Sequence, residues 1–270
     1  MCAQGVAIAL PDRTEFEIVF VDLLQAALAL EAEELTTPRL SSMERDRFMS
    51  RSSSDMRAAQ TWRLSRIALR IVLERWAGND VRRSAFEIER GGRPKLAQGW
   101  PHFSISHTGD VALIAVSQHS AIGIDIEQER NIKMSDERRA QVMKAANALS
   151  SQHDSRRTPK ANDLDDAAIL QAWVKLEAVA KATGLGIGRV LTDYGVSHAN
   201  NANNANERVE DSRVGDDSIR VATIDVGPRY VAAIAGAALP EILKVDDFPH
   251  TTSNIALFCQ AHIQAASIAR

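Results

Sequence analysis

Three stretches of this sequence carry side chains that could act chemically together. The first is Ala121-Ile122-Gly123-Ile124-Asp125-Ile126-Glu127. Read as a strand, it alternates. Ile122, Ile124 and Ile126 face one way, and Gly123, Asp125 and Glu127 face the other, because strand side chains repeat every two residues. Two carboxylates side by side above an apolar anchor can hold a hard divalent cation against a phosphate-bearing ligand. The second stretch is Trp173-Val174-Lys175-Leu176-Glu177-Ala178-Val179-Ala180-Lys181. On a helix, Trp173, Glu177 and Lys181 share one face at i, i+4 and i+8. They supply a rigid wall, a third carboxylate and a cation. Beside Asp125 and Glu127, that set suits a magnesium ion bridging phosphate oxygens, with a lysine on the developing charge. The third stretch is Phe103-Ser104-Ile105-Ser106-His107-Thr108-Gly109. Ser106, His107 and Thr108 offer donors at a strand end, and Gly109 allows a tight turn. Such a loop can hold a phosphate or the polar part of a nucleotide.

Each stretch also has a plainer reading. Acidic residues on the wet face of a strand are common. Glu177 and Lys181 could be a surface pair worth about 0.2–0.5 kcal/mol. A Ser-His pair in a hairpin can serve local backbone groups. A Ser/His/Asp hydrolase is a further option, but the loop lacks the Gly-x-Ser-x-Gly elbow. Arg93, between Gly91-Gly92 and Pro94, sits on a fixed backbone from which a guanidinium could grip phosphate. Arg45 and Arg47 alternate with acidic residues near a helix start, as a solvated face would.

The elements that must position these residues follow from periodicity and punctuation. Residues 18–23 read as a buried strand and 24–34 as a helix. Ser41 or Ser42 is a plausible N-cap for a basic helix running through Arg47. A long helix from Met56 to Trp76 carries Leu64, Ile67, Ala68, Ile71 and Val72 at helical spacing and stops at Gly78-Asn79. Residues 103–106 form a short strand, 106–110 a polar turn and 111–117 a buried strand. Residues 147–166 read as polar and irregular. A second long helix spans 167–183 and stops at Gly184. The Asn/Asp-rich stretch 199–217 reads as a mobile loop. Residues 219–225 and 230–236 read as paired strands, with a short helix in the tail after Pro240. A long helix, a loop and a strand pair thus occur twice, at 56–117 and 167–236. A pseudo-twofold molecule of two similar lobes would place its ligand cleft between them.

Bulk properties narrow the function classes. The chain has 270 residues, 45% hydrophobic and 25% charged, as a globular protein with a substantial core would. A net charge of -3 gives no overall attraction to nucleic acid or anionic membrane, so phosphate recognition must be local. The two cysteines, Cys2 and Cys259, offer neither a disulfide framework nor a zinc pattern, which fits a reducing compartment. The apolar run 18–30 is interrupted by Asp22 and Gln25 and follows acidic residues, so it reads as neither a membrane span nor a signal peptide. The expectation is a cytoplasmic protein.

Taken in order, Leu40 to Arg47, Gly92-Arg93-Pro94, Phe103 to Gly109, Ile122 to Glu127, and Trp173 to Lys181 with Gly184 carry a family resemblance. The chain resembles a 4'-phosphopantetheinyl transferase of the larger, two-lobed, monomeric, surfactin-synthetase-activating kind. The motifs span about residues 40 to 187. The resemblance implies an α+β fold with an N-terminal lobe at 1–119 and a C-terminal lobe at 120–270. Each lobe would be a long helix on a small, mainly antiparallel sheet. It implies transfer of phosphopantetheine from coenzyme A to a serine of an apo acyl carrier protein or peptidyl carrier domain, releasing adenosine 3',5'-bisphosphate. Asp125, Glu127 and Glu177 would bind magnesium, and Glu177, Lys181 and Asp125 would be catalytic. Glu177 would be the candidate base for the carrier serine, and Lys181 would stabilise the pyrophosphate and protonate the leaving group. Arg93, Ser106 and His107, with Arg45, would contact the adenosine 3'-phosphate region.

The chain also departs from the family. Leu176 stands where relatives usually carry a lysine, and Lys175 lies one residue earlier. Gln60 and Thr61 replace more basic residues. The surface greeting an acidic carrier would draw on the arginines between Arg63 and Arg75. Two rival readings use the same residues: a magnesium-dependent phosphohydrolase of a nucleotide-like substrate, and a non-catalytic coenzyme A or carrier-protein binding module. Retention of both Glu177 and Lys181 argues against a degenerate binder.

Overall fold

The computed structural model describes residues 16–89, 91–99, 101–151, 165–195 and 219–267. The first elements are strand β1 (Phe16–Asp22) and helices α1 (Leu23–Thr36), α2 (Ser42–Ser52) and α3 (Met56–Ala77). The short strands β2 (Glu87–Ile88) and β3 (Pro94–Lys95) pair with each other. Strands β4 (His102–Thr108), β5 (Val111–Ser117) and β6 (Ile122–Gln128) follow, then α4 (Asp136–Ser151), α5 (Asp166–Thr183) and α6 (Ile187–Gly195). The chain continues with β7 (Arg220–Ile224), β8 (Tyr230–Gly236), β9 (Val245–Asp247) and α7 (Thr252–Ser267). The mixture of helices and small, mostly antiparallel sheets is of the expected α+β class.

Two sheets, ordered β4-β5-β1-β9 and β6-β8-β7, share an apolar layer. Period-two alternation builds it. From β1 and β5, Ile18, Val111, Leu113 and Ala115 face Ile122, Ile124 and Ile126 of β6 and Ile234 of β8. The other face of β5, with Ala112, Ile114 and Val116, packs under α1, α3 and α7. Strand β5 is therefore buried along its whole length. On the far side of the second sheet, Val174, Ala178 and Val179 of α5 pack with Ala233 and Ala235 of β8 and with Val142 and Leu149 of α4.

Strand β6 presents its isoleucines to that layer, as the alternation predicts, and its Gly123, Asp125 and Glu127 lie on the α5 side. The glycine is a steric requirement. A Cβ at Gly123 would lie 1.9 Å from the Ala178 carbonyl oxygen and 2.9 Å from the Lys181 Cβ. Helix α5 thus drops directly onto the strand and brings its last turns to the carboxylates.

The structure corrects several boundaries. The polar turn expected at 106–110 begins later, because β4 runs on through Ser106 and His107 to Thr108, paired antiparallel with β5. The irregular region expected from 147 is helical to 151, as the end of α4. Val142, Ala145, Ala146 and Leu149 give that helix a buried stripe, which the polar residues between them conceal. The tail helix α7 is 16 residues long rather than short. The Asn/Asp-rich stretch 199–217 lies outside the described residues.

Replacement of Gly123 by Ala is expected to lower the unfolding free energy by about 3 kcal/mol, because the added methyl meets helix backbone that cannot yield locally. Guanidinium denaturation checks this. An unchanged midpoint would show that α5 can lift from the strand at no cost.

Candidate functional site

Strands β4 and β6 are joined by hydroxyl groups. Ser104, Ser106 and Thr108 lie on one face of β4 at period two. Ser104 Oγ accepts from the Ile124 N–H at 3.0 Å, and Thr108 Oγ1 accepts from the Gln128 N–H at 3.3 Å. Between them, Ser106 Oγ donates to Asp125 Oδ1 at 2.7 Å. The same Oδ1 receives Lys181 Nζ at 2.7 Å, and Nζ also donates to the Ile124 carbonyl at 3.0 Å. Asp125 is only 5% exposed, so its charge depends on these contacts. Its second oxygen, Oδ2, is buried without a hydrogen-bond partner.

Glu177 lies one helical turn before Lys181. Burial pushes its carboxyl above the ordinary range and the Asp125 charge pushes it further; Lys181 opposes them, and Glu127 adds to the rise. The three carboxylates therefore feel one another's field. Glu127 is partly exposed and leans on Arg130 at 3.3 Å. Among the described residues, no group of three or more His, Cys, Asp or Glu side chains is gathered tightly enough to be a metal cage as it stands. Leu176 is buried in the α5 core, and burial pushes the Lys175 ammonium down.

Next to this acidic set is a cationic cavity of about 290 Å³, with Arg47 and Arg51 of α2, Arg66 of α3, His107 of β4 and Lys181 of α5 in its walls. Ser106 also lines it. The three guanidiniums surround one indole, at 5.4, 5.4 and 5.6 Å from the Trp62 ring. Such cation–π contacts offset part of the like-charge repulsion. Burial lowers Arg66 to about 10; Glu44 opposes that, and Arg47, Arg70 and Arg51 add to it. His107 reaches solvent, yet the protein packed around it, then Arg66, Lys181 and Arg51, push its imidazole below the ordinary range. It stands ready to gain a proton when an anion enters.

Ser106, His107, Asp125, Glu177 and Lys181 are thus brought together, with Glu127 at the margin. Arg45 and Arg93 are placed elsewhere. Arg45 is exposed, reaching the Leu40 carbonyl at 3.4 Å. Arg93 pairs with Glu89 at 2.6 Å and donates to the Ala182 carbonyl at 2.9 Å, clasping the end of α5. At Gly91 the backbone is so close to Gly184 that a Cβ would overlap its carbonyl. Arg51 and Trp62 are lining residues that sequence reasoning did not select, and Arg66, grouped there with the arginines expected to greet a carrier, lines this cavity instead. Their signal was the spacing Arg47–Arg51 on one helix face, which became informative only once α2 lay against α3.

Lys181→Met is expected to cost about 2 kcal/mol of stability. That is below the value for a fully buried pair, because the lysine keeps some exposure. Asp125→Asn in the same background should recover much of the loss in a denaturation experiment. Glu177 sets a pH dependence. Its folded pKa is raised, so the native state binds more protons than the unfolded state above the ordinary glutamate value of 4.5. Stability in chelator should therefore fall as pH rises through that window, and Glu177→Gln should remove the fall. Identical thermal midpoints for both proteins from pH 4 to 8 would contradict it.

A comparison with curated proteins found no match. Residues 121–235 match the family model of the 4'-phosphopantetheinyl transferase superfamily. That segment runs from the start of β6 into β8 and contains Asp125, Glu127, Glu177 and Lys181, so this part of the chain is similar to the phosphopantetheinyl transferase superfamily.

Proposed function

We propose that the chain is a magnesium-dependent transferase that moves the 4'-phosphopantetheine group of coenzyme A to a serine of an apo acyl carrier protein or peptidyl carrier domain. Adenosine 3',5'-bisphosphate is the other product. One observation carries this reading. Ser106 and Lys181, the two side chains that hold Asp125, also line the cationic cavity, so an acidic set and a phosphate-sized basic cavity share a wall. In this reading, residues 1–119 and 120–270 are two lobes of a monomer. The cavity walls come from α2, α3 and β4 on one side and from α5 on the other.

The donor set fits a hard cation. Asp125 Oδ2 is a buried acceptor without a partner, and Glu177 is raised by burial and by the neighbouring carboxylates. A divalent ion relieves both conditions. Asp125, Glu127 and Glu177 would hold it, and when bound it would neutralise the pyrophosphate of coenzyme A. The remaining work belongs to side chains. Arg47, Arg51, Arg66 and His107 bind the 3'-phosphate region and fix the donor. Glu177 takes the proton of the carrier serine hydroxyl. Lys181 Nζ stabilises charge on the leaving bisphosphate and can return a proton to it.

Incubation with coenzyme A, magnesium and apo carriers of fatty-acid, polyketide and peptide synthesis should add one phosphopantetheine arm, read by intact mass. Asp125→Ala should slow the transfer by about a hundredfold or more. No mass gain on any carrier, or a gain indifferent to Asp125→Ala, overturns the reading.

A further inference from the structure

Strands β4 and β6 are edge strands of different sheets, and no backbone ladder joins them among the described residues. An edge strand leaves outward N–H groups that need partners. On β6, side chains of β4 meet that need. Ser104 Oγ accepts from the Ile124 N–H at 3.0 Å, and Thr108 Oγ1 accepts from the Gln128 N–H at 3.3 Å. The two bonds bracket Asp125 and Glu127. Ser104 is 7% exposed, so bulk water does not stand in for its hydroxyl.

Ile124 is held at both of its backbone groups. Ser104 takes the N–H, and Lys181 Nζ donates to the carbonyl at 3.0 Å. Asp125 follows in the chain, and its Oδ1 receives the same Nζ at 2.7 Å. Ser104, Ile124, Asp125 and Lys181 thus form one linked set, in which a shift at Ser104 reaches the carboxylate through a single residue. Strand β4 also carries His107 into the cationic cavity, whereas neither Ser104 nor Thr108 lines it. The two hydroxyls therefore set how the acidic strand sits against the strand that borders the cations.

We propose that Ser104 and Thr108 are positioning residues for the transfer. Their hydroxyls fix the β6 backbone on either side of Asp125 and Glu127, and so hold the carboxylates at a set distance from the phosphate-binding cations. The inference rests on the transferase reading, in which one donor molecule spans both clusters. A misplacement of about 1 Å between reacting groups can cost a hundredfold in rate, so a seam that fixes this distance matters to the chemistry without touching the ligand. Ser104 is the stronger of the two, because its bond is shorter and more deeply buried. Thr108 allows the cleaner probe. Valine keeps the shape of threonine and loses the acceptor, whereas serine keeps the hydroxyl and loses only a methyl group.

Steady-state transfer from coenzyme A to an apo carrier, together with amide hydrogen exchange of β6 read by mass spectrometry, tests this on the whole protein. Ser104→Ala should lower kcat by about tenfold, the worth of one buried hydrogen bond, and leave the KM for coenzyme A within about twofold. Thr108→Val should lower kcat by about threefold, and Thr108→Ser should keep the wild-type rate. Adding Ser104→Ala to Lys181→Met should cost much less than in the wild type, because the linked set is already broken. Exchange across residues 124–128 should quicken in Ser104→Ala and Thr108→Val. A rise in KM at unchanged kcat, a Thr108→Ser protein as slow as Thr108→Val, or fully additive losses each overturn the inference and leave the transferase reading standing. If Ser104→Ala does not fold, the Thr108 pair decides alone. If the wild type modifies no carrier, the transferase reading falls, and unchanged β6 exchange in Thr108→Val then overturns the seam as well.

Discussion

The site depends on the burial of the Asp125 carboxylate at a meeting point of three elements. Strand β6 supplies it, β4 brings the Ser106 hydroxyl and α5 brings the Lys181 ammonium. The edge of β6 that faces β4 is satisfied by hydroxyls where a backbone ladder would otherwise run. The pairing of Ser104 with Ile124 and of Thr108 with Gln128 keeps a constant offset of 20 residues, so the strands run in the same sense. A carboxylate can take part in such a seam, whereas a backbone ladder would leave it no role. Gly123 supplies the second condition, since only without a Cβ there can α5 come low enough for Lys181 to reach Asp125 and the Ile124 carbonyl. The geometry of the acidic set thus follows from a row of short polar side chains and one missing methyl group.

The cationic cavity needs a different kind of support. Four cations, with a histidine held below its ordinary pKa, stand close together in a partly buried place. Their repulsion is tolerated because Trp62 offers its π face and because a buried ionic framework fixes the helices that carry them. Glu44 and Arg70 tie α2 to α3, and Arg70 also donates to the Val81 and Ser84 carbonyls at 2.7 Å. Arg39 bonds Glu74 at 2.8 Å and Glu33 at 3.1 Å, fastening the α1–α2 connection to α3. Buried pairs like these are weak contributors to net stability. They are strong constraints on where a helix sits, and here that placement points Arg47 and Arg51 at Arg66.

The sequence made the acidic half readable because its information is local. Alternation in β6 and the four-residue spacing of Glu177 and Lys181 each place a side chain on a face without knowledge of the rest. The capping box at Ser41 and Glu44 and the stop at Gly184 are local in the same way. The basic half is not local. Whether Arg45 or Arg47 faces a ligand is decided by how α2 crosses α3, and Arg45 faces solvent. Arg93 looked like a phosphate grip but closes on Glu89 and the last turn of α5. Helix α4 went unread because its apolar stripe is built partly of alanines set among Lys, Gln and Asn. The run through Ser106 to Thr108 looked like a turn because its polar residues are the ones that join β4 to β6.

The two halves of the site are opposite in charge and come from different parts of the chain. The segment that matches the transferase superfamily contains the carboxylates, whereas Arg47, Arg51, Arg66 and His107 lie before it. Each cluster is unfavourable alone. Burial raises Glu177 and the neighbouring carboxylates add to it, and burial lowers Arg66 and the neighbouring guanidiniums add to it. Lys181 and Ser106 border both, so the fields meet at a fixed boundary. In the proposed reaction, a ligand carrying phosphates at two places, with a divalent ion on one of them, would neutralise both clusters at once. That is preorganisation by mutual frustration. The protein holds charges that repel within each cluster, and in the proposed reaction the bound complex would relieve them. It also reconciles local phosphate recognition with a net charge of -3, because the balance is set by two matched clusters and not by the surface as a whole.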